Sequence, residues 1–306
     1  MLTEMQRIQM LQAPAGRVDA VLDTDTYNEI DDQFALAYML ESGSRIRTKA
    51  IFAAPFYNAN SASPADGMEK SYDEVLKLLS LMKRTDLVPF VKKGSRGYLR
   101  DEHTPQESEA ARYLIEFSKD YSPENPLYVV AIGAITNIAS ALLLDETLKE
   151  RITVIWLGGH ALHYTDTKEF NMYQDIAAAR VVFGCGVPLV QYPCKGVVSA
   201  FQVSEAELDR WFRGANPLCD YLTEHTKEAA CAYAAGKPWT RVIWDVTAVS
   251  WLTGSFCGHR LIAAPQPEYD FTYGSVPDAH LIQYVYYIDR DKLFLDLVQK
   301  LTGRQF

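Results

Sequence analysis

The fold is decided by an apolar segment that runs into an acidic loop, Val21-Leu22-Asp23-Thr24-Asp25-Thr26-Tyr27-Asn28-Glu29-Ile30-Asp31-Asp32, followed by Gln33-Phe34-Ala35-Leu36-Ala37-Tyr38-Met39-Leu40. Five acids fall within ten residues of this stretch, and apolar residues then recur with helical spacing from Phe34. The pattern predicts a strand, an acidic loop and a helix, in that order.

The five acids are Asp23, Asp25, Glu29, Asp31 and Asp32. At the carboxyl end of a parallel strand, where α/β proteins bind their ligands, these carboxylates repel one another unless a cation lies among them. Oxygen ligands without Cys or His favour Ca²⁺ or Mg²⁺ over zinc. Asp31 and Asp32 are also suitable helix-capping residues, but capping leaves the other three acids unexplained. We therefore interpret the loop as a metal site.

The composition is that of an ordinary globular protein, with 306 residues, 48% hydrophobic and 23% charged. We expect one α/β domain over residues 1–306. The net charge of -9 and the scattered Lys and Arg residues argue against a nucleic-acid or anionic-membrane surface, so a small-molecule substrate fits better. No apolar run approaches the length of a membrane span.

The five cysteines form an odd number with no C-x-x-C pair, which indicates neither a disulfide framework nor a zinc site. The amino-terminal segment lacks the basic start and apolar core of a signal peptide. Both features predict a cytoplasmic protein.

Apolar, β-branched runs alternate with helical patterns, which predicts βα units. The predicted strands are at roughly 18–24, 46–53, 87–91, 126–132, 152–158 and 187–191. The predicted helices are at roughly 32–42, 68–83, 106–121, 136–144 and 173–184. Later segments predict helix over 204–236 and from about 245, strands at 261–264, 271–273 and 281–288, and a last helix over 289–301. The expected fold is a Rossmann-like, mostly parallel sheet flanked by helices, with a helical, loop-rich lobe covering the active site.

Four further motifs follow strands or precede helices at positions where α/β proteins bind ligands. Gly133-Ala134-Ile135-Thr136-Asn137-Ile138-Ala139 forms a glycine-bearing turn into a helix, where Thr136 or Asn137 also suits a helix cap. Gly158-Gly159-His160 ends the next strand, and Glu169-Phe170-Asn171 supplies a polar pair suited to sugar hydroxyls. Trp244-Asp245 precedes a helix near the end of the chain.

Together with the acidic loop, these motifs resemble the nucleoside hydrolases in order and approximate spacing, over roughly residues 18–250. The resemblance implies Ca²⁺-dependent hydrolysis of the N-glycosidic bond of ribonucleosides to ribose and free base. It also implies that Asp25 contacts the Ca²⁺ and is the general base on the metal-bound attacking water. Asp32 and Asp245 match further Ca²⁺ ligands, and Thr136 matches the residue that offers its backbone carbonyl.

The resemblance also implies a set of sugar-binding residues. Asp31 and Asn58 match residues that bind ribose hydroxyls, while Glu169 and Asn171 match the pair that holds the sugar. Two residues more than the usual number separate Asp25 from Asp31, so Glu29 within the insertion is an alternative ribose ligand. His163 stands where many members carry an asparagine, six residues before Glu169, and is the candidate for the far end of the sugar.

Trp244 stands where many family members place a histidine that protonates the leaving base, as in the purine-specific branch. An indole does not donate a useful proton at neutral pH, but its face can stack on a purine and favour the protonated base. The resemblance therefore implies that purine nucleosides are preferred. The alternative is that Trp244 is a packing aromatic at a helix start.

Two other functions remain open from the sequence. Asp23-Thr24-Asp25 after a strand imitates the nucleophile and acid of a Mg²⁺-dependent phosphatase of the haloacid dehalogenase type. A nucleoside-binding or sugar-binding protein with lapsed activity is the other alternative. The family resemblance further implies a homodimer or homotetramer.

Overall fold

The structure is a computed structural model that describes residues 2–306, and a central sheet organises it. The strands are, in chain order, β1 (Val18–Thr24), β2 (Ile46–Ala53), β3 (Val91–Lys93), β4 (Leu127–Ala131), β5 (Ile152–Leu157), β6 (Leu189–Tyr192), β7 (Gln202–Ser204), β8 (Thr240–Val242), β9 (Cys257–Ala263), β10 (Gln266–Pro267), β11 (Tyr273–Gly274) and β12 (Leu281–Ile288). Eight of them form one sheet in the order β3-β2-β1-β4-β5-β6-β12-β9. All neighbours in it are parallel except the edge pair β12 and β9. The expected mostly parallel α/β fold is confirmed.

Helices connect the strands. They are α1 (Glu4–Met10), α2 (Asp31–Glu41), α3 (Pro64–Leu81), α4 (Glu109–Phe117), α5 (Thr136–Leu144), α6 (Phe170–Gln174), α7 (Ile176–Gly184), α8 (Glu205–Trp211), α9 (Pro217–Ala234), α10 (Val246–Ser250) and α11 (Arg290–Thr302). In the described part of the chain, no helix has the length and apolar character that a membrane crossing requires.

The sheet is buried on both faces, because successive residues of its central strands enter two different apolar clusters. In β1, Leu22 packs into one cluster and its neighbour Val21 into the other. Val130 and Val129 of β4 alternate in the same way. Burial on both faces explains why these strands appear in the sequence as continuous apolar runs rather than as alternating patterns.

The strand order creates a crevice at the carboxyl end of β1. The chain leaves β1 for β2 on one side, whereas β4 lies on the other side, so the connections diverge at this point. Such a switch point is where open α/β sheets bind ligands. It brings the acidic loop after β1 beside the glycine turn after β4, with Ile132 N donating a 2.9 Å hydrogen bond to the Asp23 carbonyl.

Some predicted element boundaries were wrong. Residues 85–90 form a short 3₁₀ helix, and the strand starts only at Val91, because Pro89 has no N–H to give to a sheet. The single helix predicted over 173–184 is two helices, α6 and α7, because Asp175 leaves the helical conformation and caps the second one through Ala178 N at 2.9 Å. The helical segment over 204–236 is likewise divided, with Asn216 capping α9.

Candidate active site

Three buried carboxylates meet at the crevice. Asp31 and Asp32 are the first two residues of α2, and Asp245 arrives from the residue before α10. One oxygen of each side chain lies within 4.8 Å of the others, and no side chain of the three is more than 3% exposed. The geometry brings together acids that are more than 200 residues apart in the sequence. Asp32 and Asp245 were expected as metal ligands, whereas Asp31 was expected to bind ribose.

Asp25 lies in the same acidic loop and has an unusual environment. Its side chain is buried, and neither carboxylate oxygen accepts a hydrogen bond from any described donor. A Cβ on Gly133 would stand 2.9 Å from Asp25 Oδ1, so the glycine turn after β4 approaches this carboxylate as only glycine can. Two unsatisfied buried oxygens are costly unless a ligand engages them.

The pKa values of these acids are raised, because burial and charge repulsion both disfavour the ionised carboxylates. Burial, together with the charges of Asp31 and Asp32, raises the pKa of Asp25 and of Asp245 well above the ordinary value. Burial raises the pKa of Asp31 to about 8, with Glu29 and Asp32 adding to the shift, and that of Asp32 to about 7. A divalent cation among these carboxylates would favour their charged forms and remove the repulsion.

Hydrogen bonds inside the loop hold the acids in place. Asp32 Oδ1 accepts a 2.5 Å hydrogen bond from Thr24 Oγ1. Asp23 is fully buried at the end of β1, and its Oδ1 accepts a 2.7 Å hydrogen bond from Asn137 Nδ2. Asp23 therefore supports the loop, which does not suit the exposed nucleophile that the phosphatase alternative requires.

A cavity of about 260 Å³ opens beside the acids. Seven of the predicted site residues line it, namely Glu29, Asp31, Asp32, Glu169, Asn171, Trp244 and Asp245. Four of the predicted site residues are not part of its lining, namely Asp25, Asn58, Thr136 and His163. The site residues predicted from the sequence therefore lie partly in the cavity wall and partly outside it.

Thr136 and Asn58 have partners of their own outside the cavity. Thr136 is the first residue of α5, and its hydroxyl donates a 2.7 Å hydrogen bond to Asp175 Oδ2. Asn58 Nδ2 donates a 2.6 Å hydrogen bond to Asn28 Oδ1. Asn28 lines the cavity and also a neighbouring cavity that contains Asn58, so Asn58 is linked to the site through Asn28.

Glu169 and Asn171 lie side by side at the start of α6. The Glu169 carboxylate accepts hydrogen bonds of 2.9 Å from Gly159 N, 2.9 Å from Asn171 N and 3.1 Å from Met172 N. Gly159 adopts a left-handed φ of 75°, which explains the glycine at this position. Asn171 Nδ2 donates two 3.0 Å hydrogen bonds, to the carbonyls of Ile132 and Leu157. The Asn171 side chain therefore joins the ends of β4 and β5 at the cavity.

Glu29 and Asp31 have different surroundings. Glu29 is exposed and forms an ion pair with Arg241, with 2.6 Å between its Oε2 and Nη2. Asp31 is buried in the acid cluster. Burial and the repulsion of neighbouring carboxylates therefore destabilise the charged form of Asp31, whereas Glu29 has a cationic partner in Arg241.

His163 is exposed and does not line the cavity. A Cβ on Gly196 would stand 2.9 Å from its Cε1, so the ring lies against that glycine, and its centroid is 5.0 Å from the Tyr164 ring. His160 lines the cavity instead. The signal that could have identified His160 is its place directly after the glycines at the end of β5.

Other cavity residues had no predicted role. They are Asn28, Ile132, Leu157, Lys168, Phe170, Cys194 and Lys195. Lys168 flanks Glu169 in the sequence, but Cys194 and Lys195 follow β6, where no motif marked them. Their contribution depends on the strand order, which places the end of β6 next to that of β5.

Trp244 lies at the cavity wall and is partly buried. Its carbonyl accepts hydrogen bonds from Thr247, at 3.2 Å from the backbone N and 2.7 Å from Oγ1. The indole also packs against the apolar cluster that contains Leu22. The contacts of Trp244 are compatible with both interpretations, because the residue borders the cavity, where it could stack on a base, and also packs against the core.

Comparison with known proteins identifies the family. The sequence matches the family described as inosine-uridine preferring nucleoside hydrolase over residues 20–273. RihA, a pyrimidine-specific ribonucleoside hydrolase from Salmonella paratyphi A, is 26% identical, and the match covers 72% of this chain and 76% of the relative. The resemblance inferred from the motifs is confirmed.

Solved structures show the same fold. A plant nucleoside hydrolase gives a TM-score of 0.76 at 18% identity, covering 94% of this chain and 100% of the other. A purine-preferring ribonucleoside hydrolase from Gardnerella vaginalis gives a TM-score of 0.75 at 18% identity, covering 93% of this chain and 98% of the other. With the family match over most of its length, the chain belongs to the inosine-uridine preferring nucleoside hydrolase family and is a nucleoside N-ribohydrolase.

Proposed function

We propose that the protein is a Ca²⁺-dependent ribonucleoside hydrolase that prefers purine nucleosides and uses Asp25 as the general base. The observation that carries the proposal is the buried acid cluster beside the cavity, with two unpartnered oxygens on Asp25. These oxygens need a ligand, and the cavity lined by Asp31, Asp32 and Asp245 admits a small molecule.

The residues of the cluster suit calcium. The proposed ligands are the carboxylates of Asp25, Asp32 and Asp245. Asp31 has an oxygen within 4.8 Å of oxygens of Asp32 and Asp245, and Asp25 is near enough to Asp31 and Asp32 for their charges to raise its pKa. Hard oxygen donors without a thiolate or imidazole favour Ca²⁺ or Mg²⁺, and a crowded, anionic set suits the higher coordination number of calcium. When bound, such an ion lowers the pKa of water at the site and binds hydroxyls of a ribose.

Asp25 is the best candidate for the group that accepts a proton from water. It is buried, and its oxygens are free of other donors. A general base works best when its pKa lies near the working pH, and burial moves the pKa of Asp25 in that direction. Attack from the face opposite the base, without a covalent intermediate, would invert the configuration at the anomeric carbon.

The sugar is proposed to lie between Asp31 and the Glu169-Asn171 pair, since all three residues line the cavity. Asn171 already uses both N–H groups of its amide, so its Oδ1 is the atom left to accept a hydrogen bond from a hydroxyl. Negative charge around the ring would stabilise the positive charge that develops on the ribose as the glycosidic bond breaks.

The purine preference rests on Trp244. No histidine accompanies Asp245, so the leaving base would depart by stacking on the indole and taking its proton from solvent or from another group. The relatives differ in specificity, since the Salmonella enzyme is described as pyrimidine-specific and the Gardnerella enzyme as purine-preferring. The indole at the cavity wall favours the second of these for this chain.

The experiment measures free ribose released from a panel of purine and pyrimidine ribonucleosides. The protein is assayed as purified, after chelator treatment, and after addition of Ca²⁺ or Mg²⁺. Release from purines that is lost on chelation and restored by Ca²⁺ is the expected result. Faster release from pyrimidines would refute the purine preference, and activity that survives complete chelation would refute the metal requirement.

A further inference from the structure

A polar cluster lies just outside the lining of the active-site cavity. It consists of the side chains of Thr167, Gln191 and Tyr273, none of which lines the cavity. Thr167 and Gln191 are fully buried, and burial raises the pKa of the Tyr273 hydroxyl. Buried polar groups are costly unless their hydrogen bonds are satisfied, so the partners of these three side chains indicate what the cluster does.

Gln191 connects Tyr273 with the glycine turn that follows β5. Its Nε2 donates a 2.7 Å hydrogen bond to the Tyr273 hydroxyl. The same Nε2 donates a 3.1 Å hydrogen bond to the Gly158 carbonyl. The Tyr273 hydroxyl therefore helps to orient the amide that holds Gly158.

Thr167 and Tyr273 contact the same turn at its next two residues. Thr167 Oγ1 accepts a 2.9 Å hydrogen bond from His160 N. A Cβ on Gly159 would collide with the Tyr273 hydroxyl and would stand 2.6 Å from Thr167 Oγ1. Only glycine allows both oxygens to approach the turn so closely. The cluster thus fixes the backbone of residues 158–160.

This turn in turn positions Glu169 at the cavity wall. Gly159 N donates a 2.9 Å hydrogen bond to the Glu169 carboxylate. The carboxylate also accepts hydrogen bonds from Asn171 N and Met172 N, which belong to α6, the helix that Glu169 itself caps. Of these three backbone donors, Gly159 N is the one that relates Glu169 to the end of β5.

Tyr273 belongs to a hairpin that is anchored independently of the cavity. The hairpin is the antiparallel pair β10 and β11, and Arg180 of α7 donates a 2.7 Å hydrogen bond to its Pro267 carbonyl. Phe271 has a left-handed φ of 63°, which is unusual for a bulky residue. Its carbonyl accepts a 2.6 Å hydrogen bond from Thr167 N. The hairpin therefore also holds the loop that leads to Glu169.

We propose that Tyr273 is a positioning residue for the hydrolysis, whose hydroxyl acts through Gly159 to fix the Glu169 carboxylate in the orientation that binds ribose. Tyr273 does not touch the substrate, since it does not line the cavity. A phenylalanine ring would fill the same space without the cost of a buried hydroxyl, so packing alone does not account for the tyrosine. This inference rests on the proposed function, because it takes Glu169 as a sugar-binding residue.

The first experiment measures whether the hydroxyl holds the loop. Tyr273→Phe removes one oxygen and keeps the ring, and hydrogen exchange with mass spectrometry follows the peptides that cover residues 155–175. Exchange in this segment should be at least about fivefold faster than in the wild type. Tyr121→Phe is the matched control, because it removes a hydroxyl that donates a 2.9 Å hydrogen bond to Asp19, near the amino end of β1. Unchanged exchange in Tyr273→Phe would overturn the inference.

The second experiment measures ribose release from inosine by the same variants. Tyr273→Phe should lower kcat/KM by about fivefold or more, whereas Tyr121→Phe should stay within about twofold of the wild type. Circular dichroism checks that both variants fold. Losses of equal size in the two variants would indicate a general effect of losing a buried hydroxyl and would overturn the inference.

A double-mutant cycle tests whether Tyr273 acts through Glu169. In the Glu169→Gln background, where an amide has replaced the carboxylate, Tyr273→Phe should change kcat/KM by less than about twofold. Single-turnover rates with enzyme in excess extend the comparison to slow variants. A residue with a merely structural role would cost the same factor in both backgrounds, and that result would overturn the inference.

Thr167 provides a second pair of variants on the same path. Thr167→Val removes the hydroxyl that accepts from His160 N, and it should reproduce the faster exchange and the loss of kcat/KM. Thr167→Ser keeps the hydroxyl and should restore both values to within about twofold of the wild type. Equal losses in the two variants would assign the effect to the packing of the methyl group and contradict the inference.

Hydrogen exchange also separates this inference from the proposed function, because it needs no substrate. Faster exchange over residues 155–175 in Tyr273→Phe supports the positioning of Glu169 even if no nucleoside is hydrolysed. Ribose release that Tyr273→Phe leaves at the wild-type kcat/KM would keep the proposed function and overturn the role of Tyr273.

Discussion

Nη2 of Arg241 donates a 2.6 Å hydrogen bond to Oε2 of Glu29, which ties the acidic loop to a strand 212 residues later in the chain. This ion pair distinguishes Glu29 from Asp31, the two acids that are candidates for binding ribose. Glu29 is neutralised by a cation of the protein itself, whereas Asp31 is buried among acids. The loop insertion is thus held by Arg241, and we propose Asp31 rather than Glu29 as the acid that binds ribose.

The first prediction compares the two acids by substitution. Asp31→Asn should lower kcat/KM by about 10²-fold or more, because it removes a charge that acts on the developing positive ribose. Glu29→Gln should lower it by about tenfold at most, since the charge it removes is already offset by Arg241. Ribose release under saturating Ca²⁺ measures both losses. A larger loss for Glu29→Gln would make Glu29 the ribose ligand.

The central strands and the place of the site could be predicted from the sequence because both depend on local patterns. The run Val21-Leu22 followed by acids marks a buried strand and its loop, and the order of motifs follows the order of strands. The predicted strand at 87–91 failed because an apolar run does not reveal that Pro89 turns it into a 3₁₀ helix. Short apolar runs leave helix and strand ambiguous.

The part of the cavity wall that follows β6 could not be predicted in the same way. Lys195 enters the site only because β6 lies beside β5, and its hydrogen bond to His160 joins residues 35 apart in sequence. His163 was predicted from the family's spacing, six residues before Glu169, but its ring lies against Gly196. Spacing along the chain gives no information about which side of a loop faces the cavity.

The second prediction concerns the general base. Asp25→Asn should abolish turnover, with a loss of about 10³-fold or more, because an amide cannot accept a proton from water at this position. Asp86→Asn, at an exposed acid paired with Arg84, is the matched control and should retain full activity. Circular dichroism checks that both variants fold. A folded Asp25→Asn protein with wild-type kcat would remove Asp25 from the role of base.

The third prediction concerns stability and pH. The native-state pKa values of Asp31, about 8, and of Asp23 and Asp32, about 7, lie above their ordinary value of 3.8. Between about pH 4 and 8 the native state therefore binds more protons than the unfolded state, and the free energy of unfolding falls as the pH rises. The Tm of chelator-treated protein should drop steadily from pH 5 to pH 8.

Calcium should oppose this loss, because it binds the charged carboxylates of the native state. The increase of Tm on adding saturating Ca²⁺ should therefore grow with pH and reach about 5 °C or more at pH 8. The variant Asp32→Asn should flatten the pH dependence of the metal-free protein, whereas Asp86→Asn should leave it unchanged. A metal-free Tm that rises between pH 5 and pH 8 would contradict the burial of these acids.

The last prediction tests whether Trp244 acts on the base. Trp244→Ala should lower kcat/KM for inosine by about tenfold or more, since stacking is lost where no acid replaces it. Hydrolysis of 4-nitrophenyl riboside should fall much less, because its leaving group departs without protonation. Trp211→Ala is the control, since Trp211 is also partly buried, packs against Phe306 with ring centres 5.4 Å apart and does not line the cavity. Equal losses on the two substrates would show that Trp244 only packs against the core, and the preference for purines would then need another origin.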